Sequence, residues 1–319
     1  DVAPSRGLGD VYKRQLTGWV TYDSNAVDEA NDFVDGKTFY CDETGARLEK
    51  NWVYSVEPGV EDDDADADEY WYYFKSSGKA QIGKGTNIKG QTYLFDNEGR
   101  MQTGWVALTT STSSNAKEYL EIGGEDSTAK LSDYTDVYFC GDEDDGHAKK
   151  NKWYKTWRPE DFDDEDEDND EFWYWIDKNG KVYIPADTAS GSNATGYKYK
   201  LEDATLAQKK VSGSYNSFDI TKKKVNSKDY WFDQEGRMLS NFYLVDGEMY
   251  YFGGSNDGSM KTGSQAIKDD AGDTYKFYFA TKGTNKGAGI TGNQNTKLYY
   301  YGMFCLLYTS PSPRDGATS

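Results

Sequence analysis

The chain has 319 residues, 55 acidic against 36 basic side chains, and a formal charge of −19. Hydrophobic residues make up only 36% and aromatic residues 16%, which is too few aliphatics for one large globular core and too many rings for a disordered chain. The acidity excludes the basic face that nucleic acid demands and any attraction to an anionic membrane surface, and no stretch approaches the ~18 apolar residues of a membrane span. Neutral sugars, cations, or cationic groups carried on a polymer are the partners this charge favours.

Residues 1–15 (DVAPSRGLGDVYKRQ) and 305–319 (CLLYTSPSPRDGATS) lack the pattern that fills the rest. Both read as non-native tails, of the kind produced by translated sequencing adapters, so 16–304 is expected to be an internal piece of a longer protein.

Within 16–304 an aromatic triplet recurs with a glycine at a fixed offset. Phe39-Tyr40-Cys41 leads to Gly45, Tyr72-Tyr73-Phe74 to Gly78 and Tyr93-Leu94-Phe95 to Gly99. Tyr174-Trp175-Ile176 leads to Gly180, Tyr230-Trp231-Phe232 to Gly236 and Phe277-Tyr278-Phe279 to Gly283. The glycine follows the first ring by six residues in these copies, and by eight from Tyr138 to Gly146 and from Tyr250 to Gly258. Short-period self-similarity marks a repeat architecture, whose stacked units present long binding surfaces.

The shortest unit shows what each repeat is. In Phe242 to Phe252, Asp246-Gly247 separates two aromatic runs, a strong hairpin signal. The unit therefore reads strand, turn, aromatic strand, polar turn, short apolar step. Other units lengthen the first turn: 20 residues part Trp19 from Phe39 and Trp52 from Tyr72, 21 part Trp153 from Tyr174, and 33 part Trp105 from Tyr138. Glu61 to Glu69 and Asp161 to Glu171 are acidic runs within such turns, expected as hairpin tips outside the stack. Residues 186–229 read as one much-expanded unit, with Tyr197 to Leu201 and Tyr215 to Ile220 as its candidate strands. The fold class expected is all-β, a β-hairpin repeat solenoid.

Little here suggests chemistry. His147 is the single histidine, so neither a Ser-His-acid triad nor a His-rich zinc site is expected, and no cofactor is. The carboxylates run consecutively in solvated tips rather than in a pocket that would raise a pKa for glycoside hydrolysis. Asp164, Asp166 and Asp168 have the alternation of a calcium loop, but Asn169 stands where glycine is needed and Trp175 where the bidentate acid belongs. Calcium, diffuse counter-ions and plain solvation all stay open for that run. Cys41 and Cys140 take the third place of their triplets, as small apolar thiols three copies apart, so no disulfide framework is expected.

Tyr93 to Trp105 (YLFDNEGRMQTGW), Gly18-Trp19, Tyr230 to Asn241 and Tyr250 to Gly263 resemble the cell-wall-binding repeat of Gram-positive surface proteins, the choline-binding and glucan-binding repeat family. The resemblance implies stacked β-hairpins, appended to a wall hydrolase, a glucosyltransferase or an adhesin, on a secreted protein at the bacterial surface. It places the ligand between successive hairpins, in aromatic cages for choline on teichoic acid or on platforms for neutral α-glucan. By position Trp19, Trp52, Trp105 and Trp153 match the family's Gly-Trp ring, although Asn51 and Lys152 replace the glycine in two. Trp71, Tyr73, Trp173, Trp175, Trp231 and Tyr251 would be the second strand's contributions. Units with Ile88, Phe242 or Ala266 near the Trp place, and with Ala80 or Ala148 in place of methionine, depart from the pattern. Two readings follow: a non-catalytic binding module, or a structural stalk whose rings are core and whose acidic tips meet a protein partner.

Overall fold

A computed structural model describes residues 15–23, 26–60, 66–110, 116–123, 128–142, 144–159, 171–185, 193–209 and 218–305. Every strand pair among them is antiparallel. β1 (Gly18–Asp23), β2 (Ala26–Glu29) and β3 (Thr38–Cys41) form a sheet in the order β2-β1-β3. β4 (Asn51–Val56) pairs with β5 (Glu69–Phe74), and β6 (Gly83–Ile88) with β7 (Gln91–Phe95). β8 (Trp105–Thr110), β9 (Lys117–Glu121) and β10 (Val137–Phe139) have the order β10-β8-β9, and β11 (Lys152–Thr156) pairs with β12 (Phe172–Ile176). A six-stranded sheet joins β13 (Asn193–Glu202), β14 (Thr205–Gln208), β15 (Phe218–Val225), β16 (Lys228–Asp233), β17 (Phe242–Val245) and β18 (Glu248–Tyr251). The last sheet holds β19 (Gly263–Lys268), β20 (Thr274–Phe279), β21 (Gly292–Gln294), β22 (Lys297–Tyr300) and β23 (Met303–Phe304). The protein is all-β, built from hairpins.

Local chemistry explains the hairpins. In β17–β18 the turn residues Asp246 and Gly247 have φ of 51° and 82°, the paired positive values of a turn whose twist matches the flanking strands. The polar turn after the triplet is headed by an aspartate. One carboxylate oxygen of Asp42, Asp96, Asp177 and Asp233 accepts the backbone N–H groups two and four residues on, at 2.7–3.0 Å. The glycine of the repeat, three residues after that aspartate, has φ between 77° and 85° at Gly45, Gly99, Gly180 and Gly236. At Gly236 a Cβ would also collide with the backbone oxygen of Tyr183, so geometry and close approach both demand glycine.

One recurrent backbone bond joins unit to unit. The apolar step after each hairpin donates to the second strand of the hairpin before it. Met101 donates to Trp71 at 2.9 Å, Ala148 to Thr92 at 2.8 Å and Val182 to Val137 at 2.8 Å. Met238 donates to Trp173 at 2.9 Å, Met260 to Asp229 at 2.8 Å and Gly289 to Met249 at 2.7 Å. The core is correspondingly divided into small clusters that straddle neighbouring units. One holds Trp19, Tyr72, Phe74 and Ala80, another Trp105, Phe139, Tyr174 and Ile176. Rings supply the bulk that scarce aliphatics cannot.

Three details differ from the sequence expectation. The long first turns of two units are more than loops: they contain β2 and β9, which pair along β1 and β8. Those two inserts carry shorter acidic stretches than Glu61 to Glu69 or Asp161 to Glu171, with Asp28 and Glu29 adjacent in β2 itself. Next, the Trp place in the third, sixth and last matching units is held by Lys84, Lys222 and Ser264, which face Leu94, Trp231 and Tyr278. Ile88 instead pairs with Gln91 near the hairpin end, because the register shifts between Gly85 and Ile88, while Ala266 pairs with Lys276. Finally, the 186–229 segment contributes β13, which contains Tyr197 to Leu201, and β15, which begins at Phe218. β13 pairs in turn with β15, β17 and β14, tying that segment into adjacent hairpins.

Candidate functional site

The same ring contact recurs between units. The Trp of one hairpin lies on the first and third rings of the next triplet. Trp19 is 4.7 Å from Tyr72 and 5.9 Å from Phe74; Trp52 is 4.8 Å from Tyr93 and 5.8 Å from Phe95. Trp153 is 4.7 Å from Tyr230 and 5.8 Å from Phe232, and Trp105 is 4.8 Å from Tyr174. Replacement of the glycine before Trp52 and Trp153 is accommodated one residue earlier. Lys50 and Asn151 take φ of 50° and 52°, in place of Gly18 and Gly104 at 72° and 61°.

Two of these contacts open into equivalent cages. The first is a cavity of about 320 Å³ lined by Trp52, Trp71, Tyr93 and Met101, with Asn51, Lys89, Asp144 and Asp145 at its edge. The second, also about 320 Å³, is lined by Trp153, Trp173, Tyr230 and Met238, with Lys228, Asn256 and Asp257 at its edge. Each has the Trp of one unit, the ring before that unit's triplet, the first ring of the next triplet, and the methionine of the step that follows. Tyr73 and Trp175 back the two Trp rings from 5.1 Å and 5.4 Å. Trp71 stands at 86° to Trp52, giving two walls, and the Trp173 indole N–H donates to Asn256 at 3.0 Å.

Both cages carry a carboxylate held in its ionised form. Burial alone would raise Asp145, but Lys149 and His147 bring it below the ordinary carboxylate value. Burial opposes Lys261 and Ser259 at Asp257 with the same net direction. Burial and then the facing carboxylate push the Tyr93 and Tyr230 hydroxyls up, through Asp145 and Asp257 respectively. The cavities therefore present ring faces beside an ion-paired carboxylate, with Lys89 and Lys228 at their edges.

The other expected rings fall elsewhere. Trp19 and Trp105 are 8% and 0% exposed. The following hairpin closes over them, and their indole N–H groups donate to Val56 at 2.8 Å and Trp157 at 3.1 Å. The step residues there are Ala80 and Val182 instead of methionine. Trp231 is buried with Ile220 and Tyr243. Tyr251 lines a separate cleft with Phe242 and several lysines. Lys84 occupies its own unit's ring space, with Nζ 4.5 Å from the Tyr138 ring centroid and 3.1 Å from the Tyr138 hydroxyl. The sequence reading missed Tyr93, Tyr230, Met101, Met238, Asp145 and Asp257. The first triplet ring and the methionine after Gly-Arg were the available signals for four of them. His147 pairs with Asp145 and packs on Tyr93, which ties it to the first cage's edge. Asp164, Asp166 and Asp168 lie outside the described residues; among the described residues no cluster of three His, Cys, Asp or Glu is placed to hold a metal. Cys41, Cys140 and Cys305 are free thiols. Among the described residues no helix is long and apolar enough to cross a membrane.

The fold and these inter-unit spaces define a β-hairpin repeat array with ring-lined cavities at two of its junctions. No protein-family model matches the chain. It is 28% identical over 240 residues to a glucosyltransferase-S of Streptococcus mutans, an alignment covering 74% of this chain and 12% of that protein's length. Among solved structures, choline binding protein F of Streptococcus pneumoniae, in the presence of a peptidoglycan analogue, is 20% identical with a TM-score of 0.36, covering 91% of this chain and 94% of that one. The modular autolysin LytC of Streptococcus pneumoniae is 17% identical with a TM-score of 0.34, covering 90% of this chain and 50% of that one. The repeats are similar to those of the choline-binding and glucan-binding repeat proteins.

Proposed function

We propose that this chain is a non-catalytic binding module that holds a secreted protein on a Gram-positive surface polymer. Its two open cages take quaternary ammonium groups such as choline on teichoic acid. The observation that carries this reading is the matched pair of cavities, each with three rings, a methionine and an ionised aspartate. A quaternary ammonium gains about 0.5–2 kcal/mol per ring contact. A millimolar site needs only about 4 kcal/mol, so three walls suffice. Two weak cages on one chain raise apparent affinity for a repeating polymer through effective concentration. The −19 charge would repel an anionic polymer lacking such cations.

A second reading, a platform for neutral α-glucan, is favoured by the exposed Trp71 and Tyr54, 37% and 45% accessible and 5.1 Å apart, and by the resemblance to a glucosyltransferase. Titration of residues 16–304 with choline and with dextran oligosaccharides, followed by Trp fluorescence, separates the two. Saturable quenching by choline alone supports the cages, and a response to dextran alone supports the platform. A folded sample that answers neither ligand leaves the stalk reading.

A further inference from the structure

The junction after β17–β18 keeps the cage frame but reverses its chemistry. Phe242 stands in the Trp place, faced by Tyr251 at 4.6 Å and by Phe277 of the next triplet at 5.1 Å. Gly289 takes the place of methionine in the step. The hairpin β13–β14 folds across instead, leaving a cleft of about 310 Å³ between it and β19. Lys198, Lys200, Lys209 and Lys268 all line that cleft, with Asp270 the single lining carboxylate. In a chain with 55 acidic residues against 36 basic ones, this is a local inversion of sign.

The four lysines are not equivalent. Lys200 pairs with Asp270 and reaches Glu202 at 3.5 Å, and Lys209 pairs with Glu202 at 2.6 Å. Lys198 and Lys268, both exposed, have no ion pair among the described residues. Two lysines with no ion pair among the described residues thus line a cleft with the partly exposed ring of Tyr251 in its wall. Nothing in binding a neutral glucan or a caged cation uses them.

We infer that this cleft binds a phosphate ester carried on a saccharide or polyol chain, with Lys198 and Lys268 taking separate phosphate oxygens and Tyr251 supporting the adjoining carbon chain. A planar carboxylate is held best by the fork of an arginine. A tetrahedral phosphate instead offers oxygens in several directions to point charges such as lysine. The site is distinct in residues from both cages, so a phosphate unit and a cationic unit of one polymer can be engaged together.

The test uses the full chain and calorimetry, with an oligomer of glycerol phosphate as probe and polygalacturonate as the carboxylate control. At about 0.01 M salt, where the screening length is about 30 Å, the phosphate oligomer is expected to bind saturably, with loss of at least about tenfold in affinity near 1 M salt. The double variant Lys198→Gln/Lys268→Gln is expected to lose about tenfold or more while its choline response and unfolding temperature stay unchanged. Inorganic phosphate is expected to displace the oligomer. Equal phosphate affinity in the double variant, or binding of polygalacturonate in preference to the phosphate oligomer, overturns the inference. Trp52→Ala/Trp153→Ala should leave phosphate binding intact, which keeps this test separate from that of the cages.

Discussion

Trp105 and Trp52 occupy equivalent places in their hairpins, facing Phe139 and Tyr73, yet their surroundings differ. Trp105 is 0% exposed and wedged 5.1 Å from Phe139 and 4.8 Å from Tyr174. Its N–H satisfies the Trp157 carbonyl at 3.1 Å. Trp105→Ala removes that packing, leaves a cavity and unpairs a carbonyl, a loss of about 3–5 kcal/mol. Trp52 is half-buried beside an open cavity, so Trp52→Ala removes less buried area, about 1–2 kcal/mol. At about 2–4 °C per kcal/mol, unfolding followed by circular dichroism should drop by roughly 6–20 °C for the first variant and only a few degrees for the second. Choline titration of the folded proteins should show the opposite order, with the site lost in Trp52→Ala and both sites kept in Trp105→Ala. If Trp52→Ala destabilises as much as Trp105→Ala, the division between enclosed and open junctions is refuted.

Three other outcomes follow from the geometry. Gly236→Ala forces a side chain at φ 78° against the Tyr183 carbonyl, whereas Gly272→Ala at φ 92° meets open space. The first should cost at least about 1–2 kcal/mol more than the second in urea unfolding. Met238→Ala widens only the second cage and should weaken that site about two- to tenfold by loss of sulfur–ring contact, read by calorimetry. Asp145 and Asp257 have depressed values in the folded chain, so their contribution is present above the unfolded carboxylate value and is lost as pH falls through the folded one. Choline affinity should therefore hold from pH 7 through about pH 4 and decline only below it, and Asp257→Asn should weaken the second site at neutral pH.

Much of the frame was legible because its determinants are local. Paired rings on a strand, Asp246-Gly247 in a tight turn and glycine three residues after a turn aspartate each impose their own backbone. Which junctions are open was not legible, because it depends on what the next hairpin's connection does. Val56 and Trp157 cover Trp19 and Trp105, and nothing in the sequence around those two Trp residues announces it. The register shift between Gly85 and Ile88 likewise hid Lys84, whose ammonium occupies its own unit's ring space. Alanine or valine in the methionine place did carry information, since the two cages hold Met101 and Met238 while the enclosed junctions hold Ala80 and Val182. The lysine cleft arises from β13 and β14, in the segment with least regularity, where no repeat frame predicts the register.

On the proposed function, two equivalent cages each take one quaternary ammonium group. Calorimetric stoichiometry with choline tests it most directly. Two sites per chain, falling to one in Trp52→Ala or Trp153→Ala and to none in the double variant, is the expected result. A stoichiometry unchanged by either substitution, in variants that remain folded, would contradict it.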